Sequence, residues 1–194
     1  HVFGNEASVL VGDYLYSRSF QMMVERGDLR IQEVRANATN TIAEGEVLQL
    51  LNCHDADVDA ANYMHVIHCK TAKLFEASTR LGAILGDAPA SDEEAIANYG
   101  MHLGTAFQLI DDVLDYSGQE VETGKHLGDD LAEGKPTLPL IYVIQHGTPE
   151  QAACVRKAIE EGGRDDFPLV LDAIRNSGAL EHARARAVHE AEQA

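Results

Sequence analysis

Apolar residues recur at intervals of three and four through nearly the whole chain, and no strand-like alternation of apolar and polar residues appears anywhere. Over residues 6–24 the positions Val9, Leu10, Leu15, Phe20 and Met23 follow helical spacing, and Gly27-Asp28 then supplies a stop and a fresh N-cap. A second helix is predicted over 29–51, with Ile31, Val34, Ala38, Ile42, Val47, Leu48 and Leu51 along it and Gly45 as its weak point. A third spans 59–85, its inward side formed by Tyr63, Val66, Ile67, Ala72, Leu74, Phe75 and Leu81. Gly86-Asp87-Ala88-Pro89 ends it, because proline cannot continue a helix.

Ser91 with Glu94 fits the capping box S-x-x-E, which predicts a fourth helix running through Ile96, Leu103, Phe107, Ile110 and Leu114 to about Tyr116. Between residues 117 and 136 the periodicity disappears, and Gly118, Gly124, Gly128 and Gly134 are interleaved with acids and two lysines. The expectation is a long polar loop, and unstructured connections of that length tend to be functional lids or binding loops. Four short helices follow, over 138–145, 149–160, 166–176 and 179–192. The predicted fold is one all-α domain, a bundle of mostly antiparallel helices.

Composition narrows the function. Fifteen Lys and Arg against thirty-two Asp and Glu leave a formal charge of −17, a surface that repels phosphate backbones and anionic lipid heads. Nucleic-acid binding is thereby excluded as the main activity. Aromatic residues are 6% of the chain and Trp is absent, a palette that favours helix over sheet. Cys53, Cys69 and Cys154 are widely spaced with no C-x-x-C, which suits a reducing compartment and a cytoplasmic location. The apolar runs fall short of the ~18 residues of a membrane span, so no transmembrane segment is expected. The chain opens on His1 without a capped start or a leader, which reads as a piece of something longer.

The chemistry concentrates in Phe107-Gln108-Leu109-Ile110-Asp111-Asp112-Val113-Leu114-Asp115. On a helix Asp111 and Asp115 share a face, Asp112 is adjacent, and Gln108 lies one turn back on that side, so three carboxylates converge. Like charges at this spacing repel, and a cation is the natural compensation. An oxygen-only ligand set suits Mg²⁺, which is usually held by one or two carboxylates, waters and substrate phosphate oxygens. The apolar neighbours Phe107, Leu109, Ile110, Val113 and Leu114 place the aspartates on a largely buried helix rather than on a solvated acidic face. With Lys125 and Lys135 following in the loop, the combination suits a metal-bound diphosphate. His65, His68 and Cys69 also share helical spacings compatible with zinc, but no fourth ligand is evident and the segment reads as core.

In order along the chain, Gly12-Asp13-Tyr14-Leu15, Gly45-Glu46-Val47-Leu48-Gln49-Leu50, Lys70-Thr71-Ala72, the segment 107–115, Gly124-Lys125, Gly128-Asp129-Asp130 and Gly134-Lys135-Pro136-Thr137-Leu138-Pro139 resemble the trans-isoprenyl diphosphate synthases. The matches span most of residues 4–145, and the wording of 14–23 and 37–51 resembles the bacterial members that make octaprenyl diphosphate. The resemblance implies helices around a central cavity in which an allylic diphosphate condenses repeatedly with isopentenyl diphosphate, giving a long all-trans polyprenyl diphosphate for quinone side chains such as ubiquinone's. It implies that Asp111, with Asp112 and Asp115, binds Mg²⁺ directly or through water. Lys70, Lys125 and Lys135 would grip the allylic diphosphate, and Thr71 and Gln108 would position it. Asp129 or Asp130 would contact the metal's water shell. Phe20, Met22 and Met23 form an apolar stripe that reads as core, or, by resemblance, as the interface of a homodimer.

The departures from the family matter as much. Members carry two aspartate-rich motifs, of which the first normally lies upstream of where this chain begins, together with the lysine, arginine and histidine that hold isopentenyl diphosphate. None of these is in the sequence, and the last helices of the family are also missing, so the 194 residues alone are expected to turn over poorly. The rival readings are an inactive fragment or non-catalytic partner subunit of such a synthase, and a terpene cyclase. Gly134-Lys135-Pro136-Thr137 and Lys70-Thr71 favour chain elongation over cyclisation, and the intact aspartate motif argues against a purely structural role.

Overall fold

The computed structural model describes residues 4–117, 127–162 and 164–194. They form α1 (Gly4–Arg26), α2 (Leu29–Asn52), α3 (Ala60–Ile67), a π-helical turn (His68–Ala72), α4 (Lys73–Leu85), α5 (Ala90–Ser117), a single turn α6 (Asp129–Ala132), α7 (Leu138–His146), α8 (Pro149–Glu161), α9 (Phe167–Ser177) and α10 (Ala179–Gln193). No strand occurs among the described residues, and none of the helices there is long and apolar enough to cross a membrane.

Short polar side chains start the helices where hydrophobic periodicity resumes. Asp28 accepts from the Arg30 N–H and Asp59 from the Asn62 N–H, each satisfying a donor that the first turn leaves unpaired. Thr148 and Gln151 close a reciprocal capping box at the start of α8. The box expected at Ser91 and Glu94 does not form. Pro89 takes the cap position, its carbonyl accepting from Asp92 and Glu93, while Ser91 donates to Asp92 and Glu94 is drawn to Arg80.

The core lies where α5, α7, α8, α9 and α10 meet, around Leu109, Val113, Tyr116, Leu140, Val143, Ile159 and Ile174. α7 is buried on almost every side because its run from Leu138 through Leu140 and Ile141 is apolar without interruption. α2 packs through a narrow seam instead, with Ile31, Ala38 and Gly45 its buried residues. Gly45 is a contact point rather than a weak point: a Cβ there would stand 2.6 Å from the Lys70 backbone nitrogen. The absent side chain is what lets α2 lie against the π turn.

Three expectations change. The third helix runs unbroken over 60–85 but carries an i→i+5 turn at His68–Ala72 between α3 and α4; such single π turns recur at functional sites. The polar loop contains α6, and its segment 118–126, with Lys125, lies outside the described residues. The apolar face of α1 is not core: Val9, Leu10, Leu15, Phe20 and Met22 are exposed, as are Leu74 on α4 and Phe107, Ile110 and Leu114 on α5. Phe20 instead carries the Arg35 guanidinium 3.2 Å over its ring centre.

Candidate active site

A cavity of ≈ 290 Å³ opens between the end of α2 (Gln49, Asn52), α3 (Tyr63, Val66, Ile67), the π turn (Lys70, Thr71), α5 (Gln108, Asp111, Asp112) and the stretch after α6 (Lys135, Pro136, Thr137), with Asp130 of α6 at its edge. Seven of the eight sequence-predicted site residues fall in the described part. Six of those line this one cavity.

A chain of hydrogen bonds crosses it. The Thr71 hydroxyl donates to Gln108 Oε1 at 2.8 Å, Gln108 Nε2 donates to Asp112 Oδ1 at 2.8 Å, and the Tyr63 hydroxyl donates to Asp112 Oδ2 at 2.6 Å. Both carboxylate oxygens of Asp112 are therefore engaged, and the residue is only 3% exposed. Burial pushes its pKa up to about 7; the bonds from Tyr63 and Gln108 oppose the rise, and the neighbouring Asp130 and Asp111 add to it. The structure thus couples Gln108 to Asp112, four residues on, where the spacing suggested a shared face with Asp111.

Asp115 does not line the cavity. Its two oxygens accept the backbone N–H groups of Asp129 at 3.2 Å and Asp130 at 3.3 Å, so it caps α6 from a neighbouring helix. Burial raises its pKa to about 6, with Asp130 contributing. Three aspartates that share a motif thus take three settings: Asp111 faces the cavity, Asp112 is buried in the network, and Asp115 anchors the turn that carries Asp130. Among the described residues no three carboxylate, imidazole or thiol side chains stand close enough together to hold a metal ion.

Two lysines line the cavity. Lys70 donates to Gln49 and pairs with Glu46 at 3.2 Å. Lys135 pairs with Asp130 at 3.1 Å and Glu133 at 2.7 Å. Burial alone would lower the Lys135 pKa, but those two carboxylates outweigh it and the net direction is up, so the ammonium is firmly charged. Of Asp129 and Asp130, Asp130 lines the cavity and meets Lys135, while Asp129 is paired with Arg164.

Sequence reasoning missed Tyr63, Gln49 and Asn52 as site residues. Helical spacing assigns Tyr63 to the core, which holds for its ring at 6% exposure, yet a buried tyrosine must find a partner for its hydroxyl. That requirement was the available signal.

Helices of this order around an aspartate- and lysine-lined cavity define a class, and the sequence pattern described as Polyprenyl synthetase matches residues 1–173; the chain belongs to that family. It is 54% identical over 193 residues to the octaprenyl diphosphate synthase of Escherichia coli K12, a match covering 99% of this chain and 60% of that protein. The octaprenyl diphosphate synthase of Haemophilus influenzae Rd is 50% identical, with 99% of this chain and 59% of that protein covered. Among solved structures, a polyprenyl synthase from Caulobacter crescentus CB15, complexed with calcium and isoprenyl diphosphate, superposes with a TM-score of 0.92 at 42% identity, covering 99% of this chain and 59% of that one. The fold is therefore the all-α fold of the isoprenoid synthases. The chain spans about 60% of the length of the curated relatives it matches.

Proposed function

We propose that this chain carries one half of the active centre of a long-chain polyprenyl diphosphate synthase, which condenses an allylic diphosphate repeatedly with isopentenyl diphosphate to give an all-trans product of about octaprenyl length for quinone side chains. The observation that carries this reading is the joining of Thr71, Gln108, Asp112 and Tyr63 into one hydrogen-bonded row between two lysines, Lys70 and Lys135, in a single cavity. Two cations lining one cavity suit a diphosphate; the carboxylates beside them suit the metal that a diphosphate brings with it.

The donor set fits Mg²⁺. Asp111 and Asp112 offer hard oxygens only, and a buried carboxylate whose pKa has risen to about 7 is one that a cation would relieve. Asp111 and Asp112 would hold the ion, with Asp130 reaching its water shell and Asp115 acting by fixing Asp130. The bound ion supplies electrostatic stabilisation of negative charge on the departing pyrophosphate.

The chain's own residues do the rest. Lys70 and Lys135, together with Lys125, hold the diphosphate oxygens, and their charge grows in value as the allylic C–O bond breaks and the pyrophosphate takes up the electron pair. Thr71 and Gln108, tied to each other and to Asp112, keep the leaving group in one orientation. The double bond of isopentenyl diphosphate then attacks the allylic cation, and proton loss restores an alkene. Water must be kept from the cation, and Val58, Val66 and Ile67 give the cavity an apolar side. The exposed apolar face of α1 supports a homodimer built on that helix, and three unpaired thiols support a cytoplasmic location.

Asp111→Ala in the full-length protein tests the reading. Elongation measured with an allylic diphosphate and isopentenyl diphosphate in Mg²⁺ should fall by about a hundredfold or more, the usual scale for removing one preorganised charge stabiliser. Elongation at the unmutated rate would sink the assignment.

A further inference from the structure

His54 stands two residues beyond the end of α2 with φ at 64°, the left-handed region that few side-chain-bearing residues enter outside Asn, Asp and His. Three contacts hold it there. Its backbone N–H donates to the Gly134 carbonyl at 2.8 Å. Its ring Nδ1 lies 3.1 Å from the Ile159 carbonyl on α8, and since a carbonyl only accepts, Nδ1 bears the proton. The ring packs against Gly134 and Gly162, so close that a Cβ would come within 2.4 Å of it at Gly134 and 3.0 Å at Gly162.

The first contact bears on the cavity. Gly134, at φ 69°, closes α6 with a paired C-terminal cap: its N–H donates to Leu131 and the Lys135 N–H to Asp130, both at 2.9 Å. The carbonyl that His54 holds and the N–H that Asp130 holds belong to the same peptide unit, the one joining Gly134 to Lys135. That unit is pinned at both ends and cannot rotate, which fixes the direction in which Lys135 leaves the backbone. His54 itself does not line the cavity. It is attached to the end of α2, whose Gln49 accepts from Lys70, so it ties the wall that carries one lysine to the wall that carries the other.

We propose that His54 is a positioning residue: its ring, bonded to the Ile159 carbonyl and packed against Gly134 and Gly162, holds residue 54 where its backbone N–H pins the Gly134–Lys135 peptide, and so sets the place of the Lys135 ammonium in the cavity. This rests on the proposed reading of Lys135 as a diphosphate-binding residue, and the experiment separates the two. In the full-length protein His54→Ala should raise KM for the allylic diphosphate about tenfold, leave kcat within about twofold and leave KM for isopentenyl diphosphate unchanged, the pattern of lost uniform binding. In a Lys135→Ala background the same change should add less than about twofold, because its target is gone. Should His54→Ala not fold, His54→Gly, which is unstrained at this φ, takes its place in the cycle with the same expectation. An unchanged KM in the folded variant, or the full tenfold added in the Lys135→Ala background, overturns the proposal. If Lys135→Ala raises KM and the His54 variant does not, His54 alone is misassigned. If Lys135→Ala itself leaves both KM values unchanged, the diphosphate site fails and the proposal falls with it.

Discussion

Tyr63→Phe isolates the bond at the centre of the site. The substitution keeps the ring and removes one oxygen, the one that donates to Asp112 Oδ2 at 2.6 Å. Its cost depends on the charge of Asp112. That carboxyl has a pKa of about 7 in the fold, raised chiefly by burial, against ~3.9 in an unfolded chain. A folded pKa above the unfolded one means that the stability this group contributes is fully present below pH ~4 and is lost as the pH rises to about 7. At pH 5 Asp112 is therefore protonated, and the phenol makes a neutral hydrogen bond worth ~0.5–1.5 kcal/mol; at pH 8 it is ionised, and the bond is charge-assisted, worth ~1.5–3 kcal/mol. The variant should thus lose ~1 kcal/mol more at pH 8 than at pH 5, while every other titrating group cancels between the two proteins. Urea unfolding of the metal-free full-length protein in chelator, at both pH values, reads the difference from the shift in midpoint at constant slope. An equal loss at the two pH values, or a larger one at pH 5, would refute the reasoning, because it would mean that no charge on Asp112 is being stabilised by Tyr63.

Two further outcomes follow from the same geometry. Gly45→Ala adds a better helix former, worth ~1 kcal/mol by propensity, yet its Cβ would meet the Lys70 backbone nitrogen at 2.6 Å. Overpacking against backbone costs ~1–3 kcal/mol and wins, so the urea midpoint should fall; a rise would show that α2 shifts freely away from the π turn. Mg²⁺ binding should release protons, because Asp112, at about 7 without metal, must ionise to hold the ion. Calorimetry in two buffers of different ionisation heat should therefore show proton release at pH 6.5 and much less at pH 8.5, with affinity falling as the pH is lowered.

Hydrophobic spacing located almost every helix because helical periodicity is written into the sequence of each element, and Asp28 and Asp59 stand at true starts because capping is a local interaction. What spacing could not reach was set by partners distant in the chain. The segment His68–Ala72 contains nothing that forbids an ordinary α-turn; its extra residue arises where Gly45 of α2 presses against Lys70. Ser91 and Glu94 satisfy a capping pattern, but Arg80, fourteen residues back, competes for Glu94 and wins. The exposed stripes of α1 and α5 carry the same periodicity as buried ones, so pattern alone assigns both to core.

The aspartate motif shows the same division at the scale of single atoms. Helical geometry fixes the angles between Asp111, Asp112 and Asp115, but it says nothing of what each one meets. A carboxylate capping α6 differs from one facing a cavity only because α6 docks beside Asp115, and Asp112 differs from both because Tyr63 lies 49 residues away in sequence and 2.6 Å away in space. Burial then turns that placement into chemistry. Two aspartates in one motif leave the usual carboxylate range, both chiefly through burial with Asp130 adding, and of the two only Asp112 lines the cavity where a cation would gain by binding. The residue types announce that a cation is wanted; only the packing decides which oxygens are left to meet it.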